Sequence, residues 1–462
     1  MEPRHYIPGA DSNLDDRIQH RVMMHIENSM KYLLFAAALV VVLLQGCTSG
    51  PPHKLELMPA PAVNEQSGAP YGNAAGIPVN TDRLEMLYAT NRAPSSDGDE
   101  GDKPWYNGER GYLVRLGSAE IDFGDSDLSW DEARRISMLK ERPRKFPLRI
   151  SSVKEAGILA SSISVFTPAE FAARVDDTPS REFARVINER LSRAELKDVF
   201  IYVHGYKVNF ENPLLVASEL WHFLGYEDAA IAFSWPSMPA RLAHMKDIET
   251  ARVSAWRLRK FLDFLATETN AQRIHIVGYS AGTRVVLTTL YELALLHQHD
   301  RNADISDRTR LGNVILVGSD VDTGTFASYI IDGLLRVQDR LTLYISPGDQ
   351  ALHLSQKLFA QRRLGQILPG TLDERMRQFA DASYRFALID VEEADHFDDG
   401  NGHAYFRTSP WVSSDILITL RHGLGPAQRG LEQRDNSPVW RSPRDYQVHS
   451  GKALVQTVDV IR

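Results

Sequence analysis

The chain has 462 residues, 43% hydrophobic, 24% charged and 9% aromatic, with a formal net charge of −8. This composition is globular, and the acidic balance gives no reason to expect a nucleic-acid partner. The sequence carries no internal repeat, heptad run or phosphate-binding glycine loop.

Lys31 precedes an apolar run of about thirteen residues that ends at Leu44-Gln45-Gly46-Cys47, the only cysteine. Such a run has signal-peptide length, ~7–15 residues, and is shorter than the ~20 needed to span a bilayer. Leu44-Gln45-Gly46-Cys47 resembles a bacterial lipobox, which implies a lipidated Cys47, and Thr48 resembles the outer-membrane sorting class. The expectation is an outer-membrane lipoprotein facing the periplasm, with an uncleaved short anchor as the alternative. Residues 1–46 form the signal region, with Met30 as its effective start, and residues 47–82 a lipidated N-terminus and flexible spacer. With its sole thiol lipidated, the chain has no internal disulfide.

One folded domain is expected over residues 83–422. Residues 87–90 and 112–116 read as early antiparallel strands. Between them Asp97-Gly98-Asp99-Glu100-Gly101-Asp102 faintly resembles a calcium loop, but Gly108 stands where a bidentate glutamate is required, so a solvated loop and no metal are expected. The stretch 130–193 gives no assignment. Then apolar strands alternate with amphipathic helices: strands at 199–203, 230–234, 274–277, 314–317, 341–345 and 386–391, with helices after each of the first five. Strands apolar on both faces mean an α/β fold with a mostly parallel sheet covered on both sides, and ligands bind beyond the carboxyl ends of such strands. Residues 238–247, with Met238, Leu242 and Met245, are a candidate lid or pocket wall. Residues 423–462 read as a polar tail.

Gly278-Tyr279-Ser280-Ala281-Gly282 is a G-x-S-x-G pattern between a strand and a helix, the turn that lifts a serine hydroxyl clear of its neighbours. A base and an acid should follow it on later loops. His403, after the last strand, is the favoured base. His396 is the alternative, and His353 is expected to pack or cap a helix. A metal site from His396, Asp398, Asp399 and His403 matches no usual ligand spacing. For the acid, Asp349 follows a Pro-Gly turn and is favoured over Asp320, one strand earlier; either could hold the imidazole in the right tautomer. Two backbone amides must face the developing oxyanion. Ala281 supplies one and Tyr206, after His204-Gly205, the other; His204 is expected to be a structural hydrogen-bonder.

These motifs, together with Tyr88-Ala89-Thr90-Asn91-Arg92, Val203-His204-Gly205-Tyr206, Phe233-Ser234-Trp235-Pro236-Ser237, Asp320-Val321-Asp322, residues 346–352 and Gly402-His403-Ala404-Tyr405-Phe406, resemble the bacterial α/β-hydrolase family called domain of unknown function nine hundred, often labelled esterase/lipase superfamily. The resemblance covers roughly residues 84–420. It departs at the elbow, where the family often has His and Met in place of Tyr279 and Ala281. It implies the α/β-hydrolase fold and a Ser280–His403–Asp349 triad, but no substrate. The expected protein is a serine hydrolase of carboxylic esters or thioesters, tethered to the envelope and needing no cofactor. Its partners are a small-molecule or lipid ester and, through the anchor, a membrane; the oligomeric state stays open. The alternative is a non-catalytic envelope lipoprotein that binds through the same fold.

Overall fold

Residues 199–203 show how this chain builds its centre. Val199, Ile201 and Val203 point into one apolar cluster, while Phe200 and Tyr202 point into the other. Period-two alternation with both sides apolar is what a strand sandwiched between helices requires. The computed structural model describes residues 55–63, 83–95, 105–124, 135–136, 138–139, 142, 144–173, 176–237, 244–367, 377–379, 383–392, 401–433, 437–443 and 446. All of them belong to one compact unit, Ser49–Arg462.

The strands are β1 (Leu55–Glu56), β2 (Arg83–Pro94), β3 (Tyr106–Phe123), β4 (Pro147–Ile158), β5 (Asp198–Val203), β6 (Ala229–Ser234), β7 (Arg273–Tyr279), β8 (Leu311–Val317), β9 (Arg340–Ile345), β10 (Phe386–Asp390), β11 (Glu432–Gln433) and β12 (Val439–Arg441). They form a 12-stranded sheet in the order β1-β4-β3-β2-β6-β5-β7-β8-β9-β10-β12-β11. Neighbours from β2 to β12 run parallel, and the pairs at either edge are antiparallel.

The main helices are α1 (Thr178–Arg193), α2 (Glu211–Phe223), α3 (His244–Glu268), α4 (Gly282–Leu296), α5 (Asn302–Thr309), α6 (Thr323–Ile331), α7 (Gln350–Phe359) and α8 (Pro410–His422). Phe183 and Ile187 of α1, Leu258 and Phe261 of α3, and Val286 and Leu290 of α4 cover one face of the sheet. Leu214 and Trp221 of α2 and Trp411 and Ile416 of α8 cover the other. β5 has β6 on one side and β7 on the other, so the chain steps from β5 to β6 in one direction and then crosses back past β5 to β7 in the other. The loops after β5 and β7 therefore part at the carboxyl edge, where this fold class opens a crevice.

Two expectations need correction. Part of the stretch read as a flexible spacer is a packed strap. Leu57, Met58, Ala60 and Ala62 are buried, β1 pairs with β4, and Val63 N–H donates to Ser414 Oγ at 3.0 Å. The described part of the polar tail likewise joins the domain, since β12 adds to β10 and Arg429 and Tyr446 are buried. Its polar composition reflects internal partners: Asp415 accepts from Arg429 Nε at 2.7 Å and from Tyr446 OH at 2.9 Å. The 130–193 region, left without an assignment, holds β4, second from the sheet edge, a 3₁₀ turn at Ala160–Ser162, and α1.

Cys47, residues 97–102, Met238, Leu242, the Met245 side chain, His396, Asp398 and Asp399 lie outside the described residues. The last residues of the 238–247 stretch, from His244, open α3.

Candidate active site

Ser280 follows β7 and precedes α4 with a φ of +51°. A left-handed conformation costs an L-residue roughly 1–2 kcal/mol, so the surroundings must hold it. They do so from both sides. Ser280 N–H donates to Val317 O at 2.9 Å, and Ser280 O accepts from Thr283 N–H at 3.0 Å and Thr283 Oγ1 at 2.6 Å.

The two glycines of the pattern are there for space. A Cβ on Gly282 would fall 2.2 Å from His204 O, and one on Gly278 would fall 3.0 Å from Val286 Cγ2. Gly205 is equally constrained, because a Cβ there would lie 2.9 Å from Ser280 Cβ. Residues 204–205 thus lie directly against the serine turn.

His403 approaches from the loop after β10. Its Nε2 is 2.8 Å from Ser280 Oγ and its Nδ1 is 2.6 Å from Asp349 Oδ2. A carboxylate only accepts, so the proton of a neutral ring sits on Nδ1, leaving Nε2 to accept from the serine hydroxyl. Asp349 is wholly buried and caps α7, its Oδ1 accepting from Leu352 N–H at 3.0 Å. Its backbone carbonyl accepts from Gln366 Nε2 at 2.7 Å and His353 N–H at 3.1 Å. The capping bond and the Gln366 bond fix the carboxylate that faces the imidazole.

Asp320, the alternative acid, has other partners. Its Oδ2 is 3.1 Å from Arg284 Nε and 3.0 Å from Arg284 Nη2, and its Oδ1 lies 3.5 Å from Arg363 Nε and accepts from the Ser355 hydroxyl. His204 is also accounted for. Its ring stacks on Trp235 with centroids 5.3 Å apart, and its nitrogens lie 2.8 Å from Gly205 O and 2.9 Å from Trp235 O. Burial holds this imidazole well below the usual histidine range, so it is neutral. Ala281 is buried at the start of α4, and Tyr206 is half-buried against the core.

Two residues escaped sequence reasoning. Gly318 follows β8 with a φ of +56°, and a Cβ there would meet His403 Cε1 at 2.9 Å. Tyr405 OH accepts from Gly318 N–H at 2.8 Å and donates to Tyr344 O at 3.1 Å, tying the histidine loop to the ends of β8 and β9. The glycine at a strand end was the available signal; its purpose is visible only with the imidazole over it.

With a serine turn, a histidine and a buried aspartate in one hydrogen-bonded row, comparison with known proteins becomes informative. A family model described as alpha/beta hydrolase of unknown function (DUF900) matches residues 180–421. The chain belongs to this family. The match runs from α1 to α8 and so includes Ser280, Asp349 and His403, while the strap and β2 to β4 precede it. One solved structure, Thermogutta terrifontis esterase 2 phosphoramylated by tabun, is similar at 15% identity over 49% of this chain and 81% of its own, with a TM-score of 0.27. No curated protein matches the chain.

Proposed function

We propose that this family member is a serine hydrolase of carboxylic esters or thioesters, with Ser280 as nucleophile, His403 as general base and acid, and Asp349 as the orienting acid. The observation that carries the reading is the continuous row Asp349 Oδ2, His403, Ser280 Oγ, at 2.6 and 2.8 Å. Ser280 Oγ bonds to the acyl carbon as its proton passes to His403 Nε2. The C–O or C–S bond then breaks, and the imidazolium returns the proton to the departing alcohol or thiol. Water repeats the sequence on the acyl-enzyme and releases the acid. The amides of Tyr206 and Ala281 hold the oxyanion, and the Asp349 carboxylate stabilises the imidazolium. A fluorophosphonate probe tests this, since it labels only an activated serine. Wild-type protein should be labelled at Ser280, and Ser280→Ala and His403→Ala should each lose ~10⁴ to 10⁶ in ester turnover. Unchanged hydrolysis by Ser280→Ala, or an unlabelled folded wild type, would overturn the assignment and favour a binding role.

We further propose that Cys47 carries a lipid anchor that holds the enzyme at the inner face of the outer membrane. The support is the short apolar run ending in Leu44-Gln45-Gly46-Cys47.

A further inference from the structure

Arg92 ends the Tyr88-Ala89-Thr90-Asn91-Arg92 motif, and the proposed reaction gives that motif no task. The residue is only 1% exposed, extraordinary for a guanidinium unless its donors are met. Local backbone irregularity puts it there. β2 tracks β6 as far as Thr90 opposite Ser234, and its register against β3 then shifts on either side of Arg92. Such bulges re-aim side chains, and opposite this one stands Gly111, where a Cβ would lie 2.7 Å from Arg92 O.

The re-aimed fork bridges the loops after β5 and β6. Nη2 donates to Val208 O at 2.9 Å and Asn209 O at 3.4 Å, Nη1 to Ser237 O at 3.2 Å and Asn107 O at 3.3 Å, and Nε to Ser234 Oγ at 3.0 Å. Ser237 doubles the connection, its Oγ accepting from Val208 N–H at 3.2 Å and donating to Val208 O at 3.0 Å. Lys207, between Tyr206 and Val208, has a φ of +62°, a strained left-handed residue that the clamp on the next two carbonyls holds in place. Burial lowers the guanidinium to about 9, with the carboxylates of Glu211 and Asp247 acting in the opposite direction, so it stays charged at neutral pH. A buried ion is a costly way to fill space, and apolar residues of similar volume often pack as well or better. What a planar fork uniquely supplies is fixed direction to several carbonyls at once.

We propose that Arg92 is the positioning residue of the oxyanion-binding turn, its fork setting residues 205–209 so that the Tyr206 amide meets the carbonyl attacked by Ser280. This rests on the serine-hydrolase reading, so its test uses enzyme already shown to label with fluorophosphonate. On the full chain, Arg92→Lys keeps the charge and removes the fork. It should lower kcat for p-nitrophenyl butyrate by about 10²–10³, the usual loss for one oxyanion donor, with little change in KM. An alkyl trifluoromethyl ketone, whose tetrahedral adduct uses the same amides, should weaken by the same factor. A role in folding alone would instead lower the melting temperature and leave kcat and inhibitor affinity per labelled site unchanged, and that result overturns the proposal. Should Arg92→Lys fail to fold, Ser237→Ala, which loses one hydroxyl of the same clamp, carries the comparison. A parallel fall in kcat and inhibitor affinity supports the proposal, and unchanged inhibitor affinity overturns it.

Discussion

Asp320 and Asp349 follow neighbouring strands and are both buried, yet they have different partners, Arg284 and Arg363 for the first and His403 for the second. Asp349→Asn should keep the fold, because asparagine also caps helices and can accept from Leu352 N–H. It should nevertheless cost ~10⁴ in kcat, since an amide favours the wrong imidazole tautomer. Asp320→Asn should leave turnover close to wild type and lower the melting temperature, because it strips a buried partner from Arg284 and Arg363, a change that typically costs roughly 3–5 kcal/mol. Steady-state kinetics and thermal melts on both variants decide the matter; the reverse pattern would put the acid after β8. A third aspartate gives a pH test. Burial, reinforced by Asp198 and Glu227, raises Asp228 from 3.8 to about 7. Between those values the folded state holds a proton that the unfolded state releases, so this group's contribution to stability falls as pH rises and levels off above the upper value. Asp228→Asn should therefore raise the melting temperature above neutrality and have little effect on the acid side of that window. Equal gains at both ends would count against a titrating carboxylate. At this scale Ser280, Asp349 and His403 could be picked out by residue type and by their place after strands, and the structure brings the three into one hydrogen-bonded row. Gly318 and Arg92 were opaque, because their roles depend on what the fold lays over them.

Among the elements, the strap at residues 55–63 has the most consequence for the site. Glu219 of α2, fully buried, accepts from Met58 N–H at 3.1 Å and from both Nε and Nη2 of Arg407. Arg407 Nη2 also donates to Glu56 O at 2.9 Å, and Arg407 lies in the short helix Tyr405–Thr408, four residues after His403. Deleting residues through 54 should leave ester turnover and melting temperature unchanged, whereas deletion through 63 should lower both. Paired melts and p-nitrophenyl ester assays on the two truncations would show it, and a fully active second truncation would refute the coupling. The strap was read as spacer because its prolines and small residues look like linker, and the contacts that order it lie far along the chain. β4 was missed for a related reason. As an outer strand with an exposed run at its centre, it lacks the apolar alternation that identifies a strand between helices. The central strands were legible because both of their faces are buried, which leaves an uninterrupted apolar run.

For the molecule as a whole, the mostly parallel sheet could be anticipated from the order of strands and helices, and the family match over residues 180–421 agrees with that reading. Location is a separate question. If Cys47 is lipidated as proposed, mass spectrometry of membrane-extracted protein should find a mature N-terminus at that cysteine bearing diacylglycerol, and Cys47→Ala should abolish it. An intact N-terminus upstream, without lipid, would mean that the apolar segment is retained as an anchor. The strap carries one more consequence, which concerns synthesis. Glu56 and Val63 find their partners at Arg407 and Ser414, each 351 residues away. Contacts that remote in sequence form late and slowly. The strap can pair with β4 and reach Glu219 early, but its seat against Arg407 and Ser414 must wait until nearly the last part of the domain has emerged. During that interval a nascent chain is exposed to aggregation and depends on whatever holds it unfolded, so yield in an expression host should be limited by chaperone supply more than by the stability of the finished fold.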